Sequence, residues 1–299
     1  MMNEKNFDVI VIGGSFAGLA ASLALARARR TVLVIDSGKP CNRYTPHAHN
    51  LIGFDGIPPT TVLEKAKADV ARYPTVSFLN DLAVEALPEG EGYQVRTAGG
   101  GSFRTRKLFF GTGVQDLFPA IPGFEDCWGR SIVHCPYCHG YELAGKPTAL
   151  FAAGDDAMHF AKLLPQWAGS LTLVTHAQGT FTLSQLEYLK AHSIPVIDTP
   201  IAGFEHSKGM LTAIRFEEGP ALEVAAMYAR IPFKQHCELP EQLGCLLNSD
   251  GLLMTNEMQE TTVEGIYAAG DNTTQMRSLA NAIALGTKAG AMINGALLN

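Results

Sequence analysis

Two cysteines in this chain stand at a spacing that has a chemistry of its own, in His134-Cys135-Pro136-Tyr137-Cys138-His139-Gly140. A Cys-x-x-Cys pair at a turn can close into a short-loop disulfide, and nearby N–H groups or cations stabilise its thiolate. The same string matches Cys-x-x-Cys-His, the attachment pattern of c-type haem, and two cysteines flanked by two histidines could ligate zinc. Haem attachment requires an export route and an iron site, and the sequence displays neither. A structural zinc site usually draws on two separated ligand pairs, and no second Cys-x-x-Cys exists, so no metal ligands are assigned. An inert pair of buried thiols is the remaining alternative, and it is the reading for Cys41, Cys127, Cys237 and Cys245. His139 follows the second cysteine. An imidazole titrates near neutrality, so it could protonate a leaving thiolate or take its proton; the alternative is that it only orients the loop. His134 is second to it for that role.

The other chemistry lies in a glycine-rich turn, Gly13-Gly14-Ser15-Phe16-Ala17-Gly18. A dinucleotide fingerprint needs glycine first for a tight turn, second for close approach of the pyrophosphate, and third for helix–strand packing. Gly13 and Gly18 meet the first and third needs. Ser15 stands at the second, where its small hydroxyl can donate to phosphate. A helix starting at Phe16 would present free N–H groups and a positive dipole end to the anion. Asp36, at the end of the following strand, is placed to accept hydrogen bonds from a ribose.

These groups need strands and helices to hold them. Phe7–Ile12 is a short β-branched run, Phe16–Arg29 is helical, and Thr31–Ile35 is a second buried strand. Arg27, Arg29 and Arg30 suit the negative end of that helix. A second such unit follows: strand Thr148–Ala152, helix Asp156–Trp167, strand Leu171–Val174, helix Leu183–Ala191 and strand Ile194–Ile197. Alternation at Met210–Phe216 and Leu222–Ala229 predicts a small antiparallel piece, and Gln275–Leu298 a closing helix. Leu108–Gly113 ends in a Gly111-Thr112-Gly113 turn, and Gly265–Asp271 runs into Gly270-Asp271. The fold class is therefore α/β, with two Rossmann-like dinucleotide-binding domains, the second inserted in the first. The crossings are expected at Phe118–Gly123 and near Phe233–Gly244. That gives an outer domain of residues 1–116 and 245–299 and an inserted domain of residues 117–244.

The chain has 299 residues, 46% hydrophobic and 17% charged, as a globular protein does. A net charge of −6 leaves no footprint for nucleic acid or an anionic membrane. No apolar run is long enough to span a bilayer, and the acidic N-terminus is unlike a signal peptide. A cytoplasmic protein with mostly reduced thiols is expected.

Taken together, the first glycine turn, the Gly-Thr-Gly and Gly-Asp turns and the string CPYCHGYE closely resemble the two-dinucleotide-binding-domain flavoproteins, and among them the thioredoxin reductase-like group. The resemblance covers nearly the whole chain. It implies FAD as cofactor, with Gly270 and Asp271 against the ribityl and pyrophosphate, and a homodimer. It also implies that Cys138 faces the flavin while Cys135 exchanges with a thiol or disulfide substrate, protein or small molecule. Thioredoxin reductases proper carry an aspartate where His139 stands. The function implied is an FAD-dependent dithiol–disulfide oxidoreductase; the rival is a flavin-binding redox sensor without turnover.

Against the family's second glycine motif, Ala152 falls on the first glycine, and Gly154 and Ala157 on later positions. An alanine forced into a left-handed turn costs about 1–2 kcal/mol. The arginines that grip a 2′-phosphate are absent, since His176 and Ala177 stand there. NADPH is therefore expected to be a poor donor. Ferredoxin, another flavin or a substrate dithiol stands in its place.

Overall fold

The protein is described here in a computed structural model that covers residues 5–298. The described residues form two compact units. The first takes in the chain up to Arg43, then Pro59–Gln115, and the chain from Phe233 on; the second takes in Tyr44–Pro58 and Asp116–Pro232.

In the first unit, strands Val76–Asn80, Val32–Asp36, Lys5–Ile12 and Ser102–Phe110 lie side by side and parallel. Strand Ser102–Phe110 forks on its other edge. Its last residues pair in parallel with Ile266–Ala268, Leu108 opposite Ile266, while Ser102–Thr105 pair antiparallel with Gly92–Thr97. Val9, Ile10, Val11, Val32 and Val34 have no exposure, as strands covered on both faces require. Helices Phe16–Arg27 and Leu279–Ala296 pack against each other, the first also on strands Lys5–Ile12 and Val32–Asp36 and the second on Ile266–Ala268. They touch at backbone distance: a Cβ on Gly286 would stand 2.2 Å from the Ala17 carbonyl oxygen, and one on Gly290 2.6 Å from that of Ala21. The first helix ends at Arg27, two residues short of the expected end, because Arg29 takes a left-handed φ of 65°.

The second unit holds a five-stranded parallel sheet ordered Val196–Ile197, Ser170–Val174, Pro147–Phe151, Ala226–Ala229 and Ile132–Val133. A separate antiparallel piece joins Ile201–Ser207, Met210–Phe216 and Leu222–Glu223. The expected strand Leu222–Ala229 is thus two strands. Only Leu222–Glu223 stays antiparallel, and Ala226–Ala229, buried throughout, is drawn into the parallel sheet. The helix expected at Asp156–Trp167 starts earlier, at Gly154, and ends at Leu163 before a tighter turn.

The boundaries also differ from those read in the sequence. The two crossings pair as a ribbon, Val114–Asp116 with Phe233–Gln235, so the chain re-enters the first unit at Phe233 and not at 245. The residues beyond it, Cys237, Leu239 and Leu243, pack into the first unit's core. Tyr44–Pro58 belongs to the second unit: the Tyr44 ring meets Phe118 at 5.6 Å, and its hydroxyl donates to Glu125 at 3.3 Å.

Candidate functional site

In the first unit the strand order reverses at Lys5–Ile12. Its helical crossover leads one way, and Ser102–Phe110 lies on the other side. Ligands of open α/β sheets bind beyond the carboxyl ends of the strands at such a switch point. Gly13 and Gly111 end these two strands and meet there. Gly13 has a φ of 98°, and a Cβ on it would stand 2.5 Å from the Gly111 carbonyl oxygen. Gly18 lies tighter still, its Cβ position 1.8 Å from the Gly13 oxygen. Gly14 abuts Asp36, Cβ position to Cβ 2.9 Å, so the carboxylate stands beside the glycine turn.

Ser15 caps the first helix in extended conformation, but its side chain makes no capping bond, and the first turn has no acidic residue. The N–H groups of Phe16 and Ala17 are left for an incoming acceptor. Thr112 Oγ1 and Asn272 Oδ1 are buried with no partner among the described residues. Asn272 itself is anchored by donating to the Phe110 carbonyl at 2.9 Å. Gly270, φ 99°, lets its turn approach Ala17, Cβ position to Cβ 3.1 Å, and Asp271 pairs with Arg277 Nε at 3.7 Å. Burial pushes the His236 imidazole below its usual pKa, and the charges of Arg43, Lys39 and Lys234 add to that push. Arg43, Lys39 and Lys234 thus stand close enough to His236 to act on it, and Gly113, whose carbonyl accepts from His236 N at 3.3 Å, belongs to the same end of the sheet. Bare N–H groups, orphaned polar atoms and a glycine cradle fit a dinucleotide pyrophosphate. His236, Asn272, Lys39 and Arg43 were not singled out from the sequence, because no motif ties such scattered positions together.

In the second unit, Cys135 is the N-cap of a single helical turn, Pro136–His139, with proline at the first position, where its missing N–H is no loss. The turn brings Cys138 Sγ to 2.7 Å from Cys135 Sγ, within reach of a disulfide bond. Gly140 closes the turn and is required there: a Cβ would meet the Pro136 carbonyl oxygen at 2.4 Å and the Trp167 ring at 2.8 Å. Both ring nitrogens of His139 are buried, without partners among the described residues. Burial holds this imidazole below its usual pKa; the His49 charge adds to the push, while the Cys135 carbonyl, short of hydrogen-bond geometry, and Glu142 oppose it. His139 is thus neutral at pH 7, with a nitrogen able to accept a proton. His134 stacks on Trp128 at 5.9 Å. Tyr137 and Tyr141, 64% and 86% exposed, flank the pair.

The second unit has its own switch point, between Pro147–Phe151 and Ala226–Ala229. Here the expected strain is absent. Ala152 is not left-handed; the positive φ, 58°, falls on Gly154, where glycine tolerates it. The contrast with the first unit lies elsewhere. Asp155 and Asp156 occupy the first turn of helix Gly154–Leu163. Asp156 is paired with Arg230 at 3.3 Å, and that guanidinium lies over the Phe160 ring at 5.4 Å. His176 and Ala177 are both left-handed, and His176 Nδ1 accepts from the Ile201 N–H at 2.7 Å. This helix end is already supplied with negative charge.

The pyridine nucleotide-disulphide oxidoreductase family model matches residues 7–286. The chain is 30% identical to the thioredoxin reductase tcpT of Claviceps purpurea over the whole of its own length and 96% of that protein's. It is 26% identical to the thioredoxin reductase of Bacillus subtilis, over 91% of this chain and 88% of that one. An oxidoreductase structure from Agrobacterium tumefaciens superimposes with a TM-score of 0.92 at 32% identity, covering 98% of this chain and 99% of that one.

Proposed function

The chain belongs to the pyridine nucleotide-disulphide oxidoreductase family and is an oxidoreductase of thioredoxin reductase-like fold, and from that premise we propose that it passes electron pairs between FAD and a thiol or disulfide substrate through Cys135 and Cys138. The observation that carries this reading is the cysteine turn itself, with two sulfurs 2.7 Å apart beside a buried imidazole that has no partner among the described residues. FAD, when bound, gives or takes two electrons. Gly13, Gly14, Ser15, Phe16, Ala17 and Gly18 hold its pyrophosphate, and Asp36 its ribose. Gly111, Thr112, Gly113, Gly270 and Asp271 border the rest of the cofactor. Cys135 exchanges with the substrate and Cys138 completes the disulfide. His139 takes a proton from an incoming thiol and returns it to a departing thiolate; its neutral resting state suits the first task. The protein works as a homodimer. No helix among the described residues is long and apolar enough to cross a membrane.

The test is an anaerobic dithionite titration of the yellow protein. A working disulfide accepts two electrons beyond those taken by FAD, so full reduction should consume about two dithionite equivalents per chain. Flavin bleaching complete at one equivalent would show the cysteines to be outside the electron path.

NADPH is a poor donor in this reading. A helix N-terminus favours an anion through its free N–H groups and dipole, each contribution about 0.3–1 kcal/mol when exposed. The carboxylates of Asp155 and Asp156 occupy that position and repel a pyrophosphate. No arginine stands at His176 or Ala177 for a 2′-phosphate, a contact of roughly 1.5–3 kcal/mol. Ferredoxin, another flavin or a substrate dithiol takes the place of NADPH. Stopped-flow mixing with NADPH should leave the flavin oxidised over seconds; bleaching at about ten per second or faster, usual for working enzymes, would overturn this.

A further inference from the structure

Asn272 follows directly on the Gly270-Asp271 turn and has no exposure. Its Nδ2 donates to the Phe110 carbonyl at 2.9 Å, which fixes the amide: turned over, it would set two oxygens against each other. Its backbone carbonyl accepts from Leu253 N at 2.9 Å and from Gln235 Nε2 at 3.1 Å, so backbone and side chain are both held. Oδ1 is left buried with no partner among the described residues. A buried acceptor without a donor is a net loss of stability, and a leucine would fill the same space without one. The packing around Gly270 shows where Oδ1 is aimed. It lies 3.8 Å from the Cβ position of Gly270, and Ala17 Cβ and Ala282 Cβ stand 3.1 Å and 4.0 Å from the same point. Ala17 is in the first turn of helix Phe16–Arg27, and Ala282 is in the first turn of Leu279–Ala296. Oδ1 thus faces the place where the first glycine turn and the closing helix meet.

Of the orphaned atoms Thr112 Oγ1 and Asn272 Oδ1, the hydroxyl can donate to a phosphate, but the amide oxygen only accepts. Its ligand must bring a donor, which a pyrophosphate lacks at neutral pH. The strand order shows which part of a flavin dinucleotide passes there. Asp36 ends strand Val32–Asp36, Gly13 follows the next strand, and Gly111 follows the one after. Gly270, Asp271 and Asn272 come after Ile266–Ala268, on the far side of Ser102–Phe110. Asp36 and Asn272 are therefore three strand spacings apart along the sheet edge, about 14 Å. With the adenosine ribose at Asp36 and the pyrophosphate over Gly13–Gly18, the ribityl chain is the part that reaches Asn272, and it carries hydroxyls. We propose that Asn272 Oδ1 accepts a hydrogen bond from a ribityl hydroxyl of FAD, which makes Asn272 a cofactor-binding residue. This goes a step beyond the FAD reading above and rests on it. No bond is made or broken, and no charge moves. The amide is fixed before the cofactor arrives, so the contact requires little side-chain ordering.

The test compares FAD with ADP, which has the adenosine and two phosphates but no ribityl chain. Both are titrated into the flavin-stripped full chain and into its Asn272→Leu variant, FAD by its fluorescence and ADP by calorimetry. Asn272→Leu should weaken FAD about tenfold and leave ADP within about twofold of the parent. The flavin-free variant should melt at the parent's temperature or above. It loses an unpartnered acceptor, while the Phe110 carbonyl keeps its bond from Ala269 N at 3.2 Å. Equal weakening of FAD and ADP, or no weakening of FAD, overturns the proposal. A second measurement needs no folded variant. Of the FAD analogues that each lack one ribityl hydroxyl, at least one should bind the unaltered protein about tenfold more weakly than FAD. That analogue should bind Asn272→Leu and the parent alike. Undiminished affinity of the unaltered protein for every such analogue overturns the proposal and leaves the FAD reading standing. An unaltered chain that binds ADP but no FAD would sink the FAD reading itself, and the proposal with it.

Discussion

The Gly18→Val protein should emerge from purification colourless and fail to take up FAD at concentrations that saturate the parent. A Cβ at this position stands 1.8 Å from the Gly13 carbonyl oxygen and 3.1 Å from Val11 Cγ1. The first contact is with backbone, which cannot rotate away as a side-chain tip can. Gly13 cannot retreat either, because its own Cβ position lies 2.5 Å from the Gly111 oxygen. The helix must therefore lift from the strand. That turns the N–H groups of Phe16 and Ala17 away from the phosphate position, and a displacement of about 1 Å is enough to lose such geometry. Overpacking of this kind costs about 1–3 kcal/mol before any ligand contact is counted. With the lost phosphate bonds, the expected fall in affinity is about a hundredfold or more, at ~1.4 kcal/mol per decade. Gly295→Ala serves as the control. It lies in the closing helix with nothing within 4 Å of its Cβ position, so it should keep a full complement of FAD. A yellow Gly18→Val protein with parental flavin content would refute the assigned cradle.

The second large effect is expected at the cysteines. Cys135→Ser and Cys138→Ser should each lower dithiol–disulfide exchange on the order of a thousandfold or more. Each removes a bond-forming atom, and loss of a single covalent participant disables the whole unit. The two variants should differ in a way that separates the roles. Cys138→Ser should still form a mixed disulfide with substrate through Cys135, whereas Cys135→Ser should form none. FAD content should be parental in both, since the pair and the glycine cradle lie in different units. Retention of exchange by both variants, across small dithiols and protein disulfides, would reduce the pair to a structural feature.

The first glycine turn was legible because its requirements are steric and local: a left-handed Gly13, a backbone contact at Gly18, a carboxylate closing the next strand. The cysteine turn was legible for the same reason, as proline and glycine fix its two ends. Long-range placement was not. Nothing in Tyr44–Pro58 announces that Tyr44 packs on Phe118 or that His49 lies 3.5 Å from Glu142, yet those contacts assign the segment to the second unit. An apolar run such as Ala226–Ala229 says that a strand is buried and leaves its partners open. Tyr228, inside that run, looks like filling until its orphaned hydroxyl is seen. At Ala152 the expected strain never arises, because the left-handed residue is Gly154. In the reading proposed above, the obstacle to an anion is the pair of aspartates that follows.

The clamp between the first and last helices sets an order of events during synthesis. Gly286 and Gly290 seat the closing helix on Ala17 and Ala21, and strand Ile266–Ala268 completes the edge of the first sheet. Both are translated after the entire second unit. A ribosome therefore exposes the Gly13–Gly18 turn early, on a sheet that lacks one strand and a helix that lacks its brace. The second unit has all its strands by Pro232 and can finish first. If the Gly13–Gly18 turn holds the flavin as proposed, acquisition of the flavin would be a late step of maturation, and a chain truncated before Leu279 would carry an intact cysteine turn with no coenzyme to serve it.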